Sequence, residues 1–181
     1  MSIFLATLLT GLLLALLGGL LLWNDPRLAS TAKLLPRSRR GSFVFFGLGT
    51  VWFIWRLSRL NESDLIFFQH PWPVMAGFAV LSILAFFHTP DFLAVRGLCL
   101  LVLLGAEPLL YSAYMEWSHP QRLLMVTAVY LALIAALYLA AAPYRLRDFF
   151  EWLFKVPARS RLLGGIVLFY GLATTAAAFT Y

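Results

Sequence analysis

Two charged side chains lie inside a strongly apolar stretch of this sequence, and their types and spacing could support chemistry. Residues 92–114 carry Arg96 near one end and Glu107 in the other half. A carboxylate at such a depth can carry a proton or bind a cation, and a guanidinium can bind an anion. Each charge at the centre of a bilayer costs about 2.5–3.5 kcal/mol, so both side chains need a partner or a function.

Tyrosines at matching depths are candidate partners for these two charges. At about 100° per residue, Tyr111 falls on the same helical stripe as Glu107. In the next apolar run, Tyr130 lies about as deep as Glu107, and Tyr138 lies about as deep as Arg96. A polar seam between two antiparallel spans is therefore predicted, consisting of Arg96, Glu107, Tyr111, Tyr130 and Tyr138. We interpret it as a structural hydrogen-bonded pair, because only two charges and no continuous polar path are present. The alternative is a site that handles a proton or substrate.

Histidines are the residues that suggest a metal site. His70 and His119 fall on the same predicted face of the membrane, with Glu62, Asp64 and Glu116 nearby in sequence. Imidazole and carboxylate are ordinary metal ligands, so the two histidines are weak candidates. A histidine followed by proline is also typical of a turn at a membrane interface. We prefer this simpler interpretation and expect neither a metal nor a cofactor.

Several membrane-bound enzyme classes are excluded by their missing motifs. The sequence lacks H-E-x-x-H, G-x-S-x-G and G-x-x-x-x-G-K-[ST], and it lacks the paired-aspartate pattern of alcohol phosphatidyltransferases. Cys99 is the only cysteine, which excludes an internal disulfide and a Cys₄ metal site.

The composition indicates a chain surrounded by lipid. Of 181 residues, 62% are hydrophobic and only 12% are charged. Soluble domains carry about 25% charged residues, so this chain could not cover a surface facing water. The net charge of +6 could indicate a nucleic-acid partner. However, the basic residues lie mostly in two loops between apolar runs, which membrane orientation explains better, so we expect no nucleic acid.

Apolar segments of spanning length predict an all-α, polytopic membrane protein with six transmembrane helices in one domain, residues 1–181. The predicted spans are residues 3–23, 43–57, 72–87, 92–114, 123–142 and 162–181. In the first span, Thr7, Gly11, Ala15 and Gly19 recur every four residues. Such a small-residue stripe lets a second helix approach closely.

A short amphipathic helix is predicted in the last loop, at about residues 145–156. Its apolar face follows the i, i+3, i+4, i+7 pattern, and its polar face includes a favourable pair from Glu151 to Lys155. The apolar face comprises Leu146, Phe149, Phe150 and Leu153, and the polar face Arg147, Asp148, Glu151 and Lys155. This pattern predicts a helix that lies in the membrane interface.

The distribution of basic residues predicts the orientation. Ten lie on one side of the six predicted spans, namely Arg27, Lys33, Arg37, Arg39, Arg40, Arg145, Arg147, Lys155, Arg159 and Arg161; the other side has Arg56, Arg59 and Arg122. The richer side is expected to be cytoplasmic in a bacterial-type inner membrane, with both termini on the opposite side. Candidate contacts to anionic lipid headgroups are Arg37, Arg39, Arg40, Arg159 and Arg161.

The function expected from these features is that of a non-catalytic integral membrane protein. It would serve as an accessory or assembly subunit of a larger membrane complex, with the lipid bilayer and other membrane-protein subunits, or further copies of itself, as partners. The first alternative is a small transporter or channel that uses Glu107 and Arg96. A membrane-embedded lipid-modifying enzyme is the third.

Overall fold

The computed structural model describes residues 1–60, 70–88 and 91–181. Its regular elements are helices, and no strand occurs among the described residues. The helices are α1 (Ile3–Trp23), α2 (Pro26–Leu34), α3 (Arg39–Gly41), α4 (Gly47–Leu57), α5 (Trp72–His88), α6 (Leu93–Ser112), α7 (Arg122–Ala141), α8 (Tyr144–Leu153) and α9 (Pro157–Ala178).

Four of these helices, α1, α6, α7 and α9, are long and apolar enough to cross a membrane. Helix α5 is apolar but has only 17 residues. The prediction of an all-helical chain with apolar helices of membrane-spanning length is therefore confirmed. In the described part of the chain, four helices have the length and composition of a full crossing, so the predicted six spans are not confirmed.

The most extensive helix–helix contact joins α1 and α9, which run antiparallel. Gly18 lies against Gly164, and a Cβ added at Gly18 would lie 2.8 Å from the Gly164 carbonyl oxygen. Near the other end, Phe4 meets Phe179 with ring centroids 5.8 Å apart, and Thr7 donates to the Tyr181 hydroxyl at 3.2 Å. The two backbones approach so closely because glycines form the contact.

Beyond Gly11, the small residues of α1 that are buried are not the ones predicted from the four-residue spacing. Thr7 and Gly11 are buried as expected. Gly18 is also buried, whereas Gly19 is not, and a Cβ added at Gly19 would have no atom of another helix within 4 Å. Steps of four residues rotate by about 40° each around a helix, whereas a seven-residue step drifts by only about 20°. The α9 contacts at Gly164 and Gly171 follow the same seven-residue spacing.

The segment predicted as a span at 43–57 is not one uniform α-helix. It starts with a π-helical turn, Ser42–Phe46, and continues as α4. The turn lies against α6 at Gly97, where an added Cβ would lie 2.6 Å from the Phe45 carbonyl carbon. The wider π-helical turn and the missing side chain of Gly97 together allow the two backbones to come into contact.

Helices α4 and α6 pack in parallel. Phe46 meets Gly97, Gly49 meets Leu100, and each pair is 51 positions apart in the chain. The constant separation means that the two helices advance together without a shift in register. A third contact with the same separation, between Arg56 and Glu107, lies further along both helices.

The core of the bundle lies where α6 meets its neighbours. Met125 and Val129 of α7 are buried with Ala6 and Ala106, and Val95 and Cys99 are buried in a second cluster with Ala136 and Leu146. Tyr170 of α9 donates to the Leu124 carbonyl at 2.8 Å.

Helix α8 follows Pro143 and ends at Leu153, before the predicted end at 156. Leu146 and Leu153 are buried, while Phe149 is 41% exposed. Glu151 lies 3.9 Å from Arg147 rather than paired with Lys155, because Lys155 lies beyond the last turn of the helix. Helix α9 starts at Pro157, five residues before the predicted start of the last span at residue 162.

Candidate functional site

The most distinctive polar contact of the bundle is an ion pair between α4 and α6. Nη2 of Arg56 donates to both carboxylate oxygens of Glu107. Arg56 is the penultimate residue of α4, and Glu107 lies five positions before the end of α6. The parallel packing of the two helices brings these side chains to the same depth.

The pair is open to the surroundings of the bundle. The side chain of Arg56 is 43% exposed, and that of Glu107 is 56% exposed. Five residues correspond to about 7.5 Å along a helix, so Glu107 lies within the apolar segment of α6 and not at its tip. The carboxylate is thus neutralised by a guanidinium but not enclosed by this chain.

A cleft of about 550 Å³ lies next to the carboxylate, between α6 and α7. It is lined by Glu107, Tyr111 and Tyr130, together with Tyr114 and Arg122. Three of the five residues of the predicted seam therefore share one cleft. The donor to Glu107, however, is Arg56 from α4 rather than Tyr130 from α7.

The other two seam residues lie away from this cleft. Arg96 is exposed and lies eleven positions before Glu107, which is about 16 Å along the helix. Tyr138 is 55% exposed, near the start of α8. There, its phenol and then that of Tyr144 raise the pKa of the Arg145 guanidinium above its ordinary value. The structure thus brings Glu107, Tyr111 and Tyr130 together and leaves Arg96 and Tyr138 outside their cleft.

The five arginines proposed to contact lipid headgroups fall into four settings. Arg37 and Arg39 line one groove, which also includes Asp91. Arg159 lies over the Trp152 ring, 4.8 Å from its centroid, and donates to the Trp152 carbonyl at 3.2 Å. The remaining two are Arg40, which is exposed, and Arg161, at a shallow apolar depression on α9.

The histidines proposed as metal ligands are His70 and His119. Among the described residues, no three His, Cys, Asp or Glu side chains come together in a way that could hold a metal ion. His119 packs instead against the Tyr181 ring, with centroids 5.1 Å apart. Glu62 and Asp64, the acids considered with His70, lie outside the described residues.

Sequence reasoning missed Arg56 as the partner of Glu107. It counted Arg56 only among the basic residues on one side of the membrane, since an arginine at the end of a span usually extends to the interface. A signal was available, because Arg56 and Glu107 carry opposite charges near the same end of two spans that run in the same direction.

The candidate site therefore consists of the Arg56–Glu107 ion pair and the tyrosine-lined cleft beside it. Its residues come from α4, α6 and α7, and glycine contacts hold α4 against α6. No family model, curated protein or solved structure matches this chain.

Proposed function

We propose that this chain is a six-span protein of a bacterial-type inner membrane and a non-catalytic accessory or assembly subunit of a larger membrane complex. The observation that carries the proposal is the Arg56–Glu107 ion pair, which is open on the side of the bundle although it lies within an apolar segment. In an assembled complex, a neighbouring subunit covers the pair.

The reason for a protein neighbour is the poor solvation that lipid offers to charge. Hydrocarbon chains donate and accept no hydrogen bonds, so the free edges of the guanidinium and carboxylate are unsatisfied against lipid. A neighbouring helix with polar side chains satisfies them and gains a specific contact at the same time. The three tyrosines beside the pair add aromatic surface, which is enriched at protein interfaces.

The six-span arrangement is supported by the direction of the helices. Since α4 and α6 run in parallel, the chain must return to its starting side between Leu57 and Leu93. Helix α5 is the described helix in that interval, and 17 residues correspond to about 25 Å of rise. A span of this length fits a bilayer with slight local thinning. The two arginine-rich loops then share one side, proposed to be cytoplasmic.

Helix α8 is proposed to lie in the interface on that side. Its buried residues Leu146 and Leu153 face the bundle, while Phe149 and Trp152 are exposed next to each other with ring centroids 6.2 Å apart. Aromatic rings beside charged residues are typical of helices at the level of the lipid headgroups.

A second candidate function, transport, is favoured by the cleft beside Glu107. A volume of about 550 Å³ is large enough for a small ligand, and a carboxylate lines it. The ion pair argues against this function, because Arg56 already donates to both oxygens of the Glu107 carboxylate. We therefore propose the accessory role in preference to transport.

The test is site-specific photocrosslinking in native membranes. A photoreactive residue at Tyr111, which is 76% exposed beside the ion pair, should join the chain to one or more specific membrane proteins at defined stoichiometry. The matched control is Leu172 of α9, which is 54% exposed on another face. Glu107→Gln should reduce crosslinking from position 111.

Other outcomes would count against the accessory role. Crosslinks from position 111 only to lipid, or only to further copies of this chain, would contradict it. Retention of a small solute by purified protein, abolished by Glu107→Gln, would instead favour transport.

A further inference from the structure

A second cavity of the bundle, remote from the ion pair, combines charge with an apolar wall. It is a groove of about 610 Å³ lined by Arg37 and Arg39 at one end and by Phe43, Ile83 and Phe86 along its length. The arginines precede the π-helical turn, and Ile83 and Phe86 belong to α5. The groove therefore runs from the end of the helices into the apolar zone between them.

The charges of the groove are suited to a single anion. Among its described lining residues, Arg37 and Arg39 are cationic and Asp91 is anionic, which leaves one net positive charge. The Arg37 guanidinium lies 5.4 Å from the centroid of the Phe92 ring, and this contact orients it. Arginine binds phosphate through paired N–H donors, so the two guanidinium groups provide a phosphate-binding end.

The wall of the groove is suited to an acyl chain. Phe43 stacks on Phe86 with ring centroids 5.1 Å apart, which fixes a continuous aromatic surface. Phe43 is 59% exposed and Ile83 is 56% exposed, so both present apolar area to whatever fills the groove. The apolar wall begins directly beside the arginines, as the acyl chain of a phospholipid begins beside its phosphate.

We propose that this groove binds one phospholipid with a single net negative charge, of the phosphatidylglycerol class. Arg37 and Arg39 hold the phosphodiester, Asp91 accepts a hydrogen bond from a headgroup hydroxyl, and an acyl chain lies against Phe43 and Phe86. The site is independent of the accessory role proposed above, because it involves neither α7 nor the Arg56–Glu107 pair.

The experiment is native mass spectrometry of the full chain, released from phosphatidylcholine nanodiscs that contain either phosphatidylglycerol or phosphatidylethanolamine. One phosphatidylglycerol adduct should be retained in preference to the other two lipids. Each arginine near a membrane surface contributes roughly fivefold in affinity, so the double variant R37Q/R39Q should lose roughly 25-fold. The matched control is Arg27→Gln, since Arg27 is an exposed arginine on the same proposed side of the membrane but does not line the groove.

A second variant separates lipid binding from misfolding and from binding of a free anion. Ile83→Trp should fill the apolar part of the groove and reduce the lipid adduct while both arginines stay in place. Equal retention of phosphatidylethanolamine or phosphatidylcholine would overturn the proposal. So would displacement of the lipid by inorganic phosphate alone, a loss with Arg27→Gln equal to that of R37Q/R39Q, or an adduct unaffected by Ile83→Trp.

Discussion

Arg56 and Glu107, which are 51 positions apart in the chain, form an ion pair in which one guanidinium nitrogen donates to both carboxylate oxygens. The pair joins α4 to α6. It has the same separation along the chain as the two glycine contacts between these helices, so all three contacts share one register. Its two partners come from helices that are separated by the whole of α5. It is therefore a tertiary contact that reports on the packing of the bundle.

The first prediction is that these two side chains are energetically coupled. Arg56→Gln and Glu107→Gln should each destabilise the fold, and the double variant should cost less than the sum of the two. Because both side chains are about half exposed, the coupling free energy should be on the order of 1 kcal/mol or less. Denaturant titration in detergent micelles measures it. Additive costs, within error, would contradict the ion pair.

The second prediction concerns the most extensive helix contact, between α1 and α9. Gly18→Leu and Gly164→Leu should each destabilise the bundle by about 1–3 kcal/mol, because the added side chain must push α1 and α9 apart. Gly19→Leu and Gly165→Leu are matched controls, since an added Cβ at either position has open space. Thermal unfolding of the four variants provides the comparison. A Gly19 variant as unstable as the Gly18 variant would show that the helices meet on a different face.

The third prediction concerns the attachment of α8. Leu153 is only 1% exposed, so Leu153→Ala should lower the free energy of unfolding by about 2–5 kcal/mol through the cavity that it leaves. Phe149→Ala, on the exposed side of the same helix, should cost less. Proteolysis of the loop after α8 would report its detachment. Equal susceptibility of the two variants would indicate that α8 does not dock through Leu153.

The fourth prediction follows from the proposed six spans. In a Cys99→Ala background, a cysteine at Ser118 should react with an impermeant maleimide added outside intact cells, whereas a cysteine at Lys155 should react only after lysis. Both positions are exposed, so access through the protein does not limit the reaction. Labelling of both from the same side would rule out the proposed topology.

The helical nature of the chain follows from its sequence alone, because runs of about 20 apolar residues leave few other structures in a membrane. The closeness of α1 to another helix was also predictable from Gly11 and its neighbours. The identity of that helix was not, since small residues permit a close approach without specifying a partner. The π-helical turn at Ser42–Phe46 likewise depends on the tertiary contact with Gly97 and has no local signal.

The candidate site, like the fold, could be predicted from the sequence only in part. Depth along a span can be counted from sequence, and three residues of the predicted seam, Glu107, Tyr111 and Tyr130, line one cleft. The direction in which a side chain extends is set by which helices are neighbours. The sequence indicated α7 as a neighbour of α6. The sign that α4 packs on the other side of α6, the opposite charges of Arg56 and Glu107, does not by itself specify a contact, so the Arg56 partnership was missed.

The pairing of α1 with α9 has a consequence for how this protein is made. Thr7 and Tyr181 are 174 positions apart, yet their side chains form a hydrogen bond. Because a protein is synthesised from its N-terminus, α1 is made long before α9. The contact between the glycine faces of α1 and α9 can therefore form only after α9 has been made. Until then, the glycines of α1 lack the partner that covers them in the folded bundle.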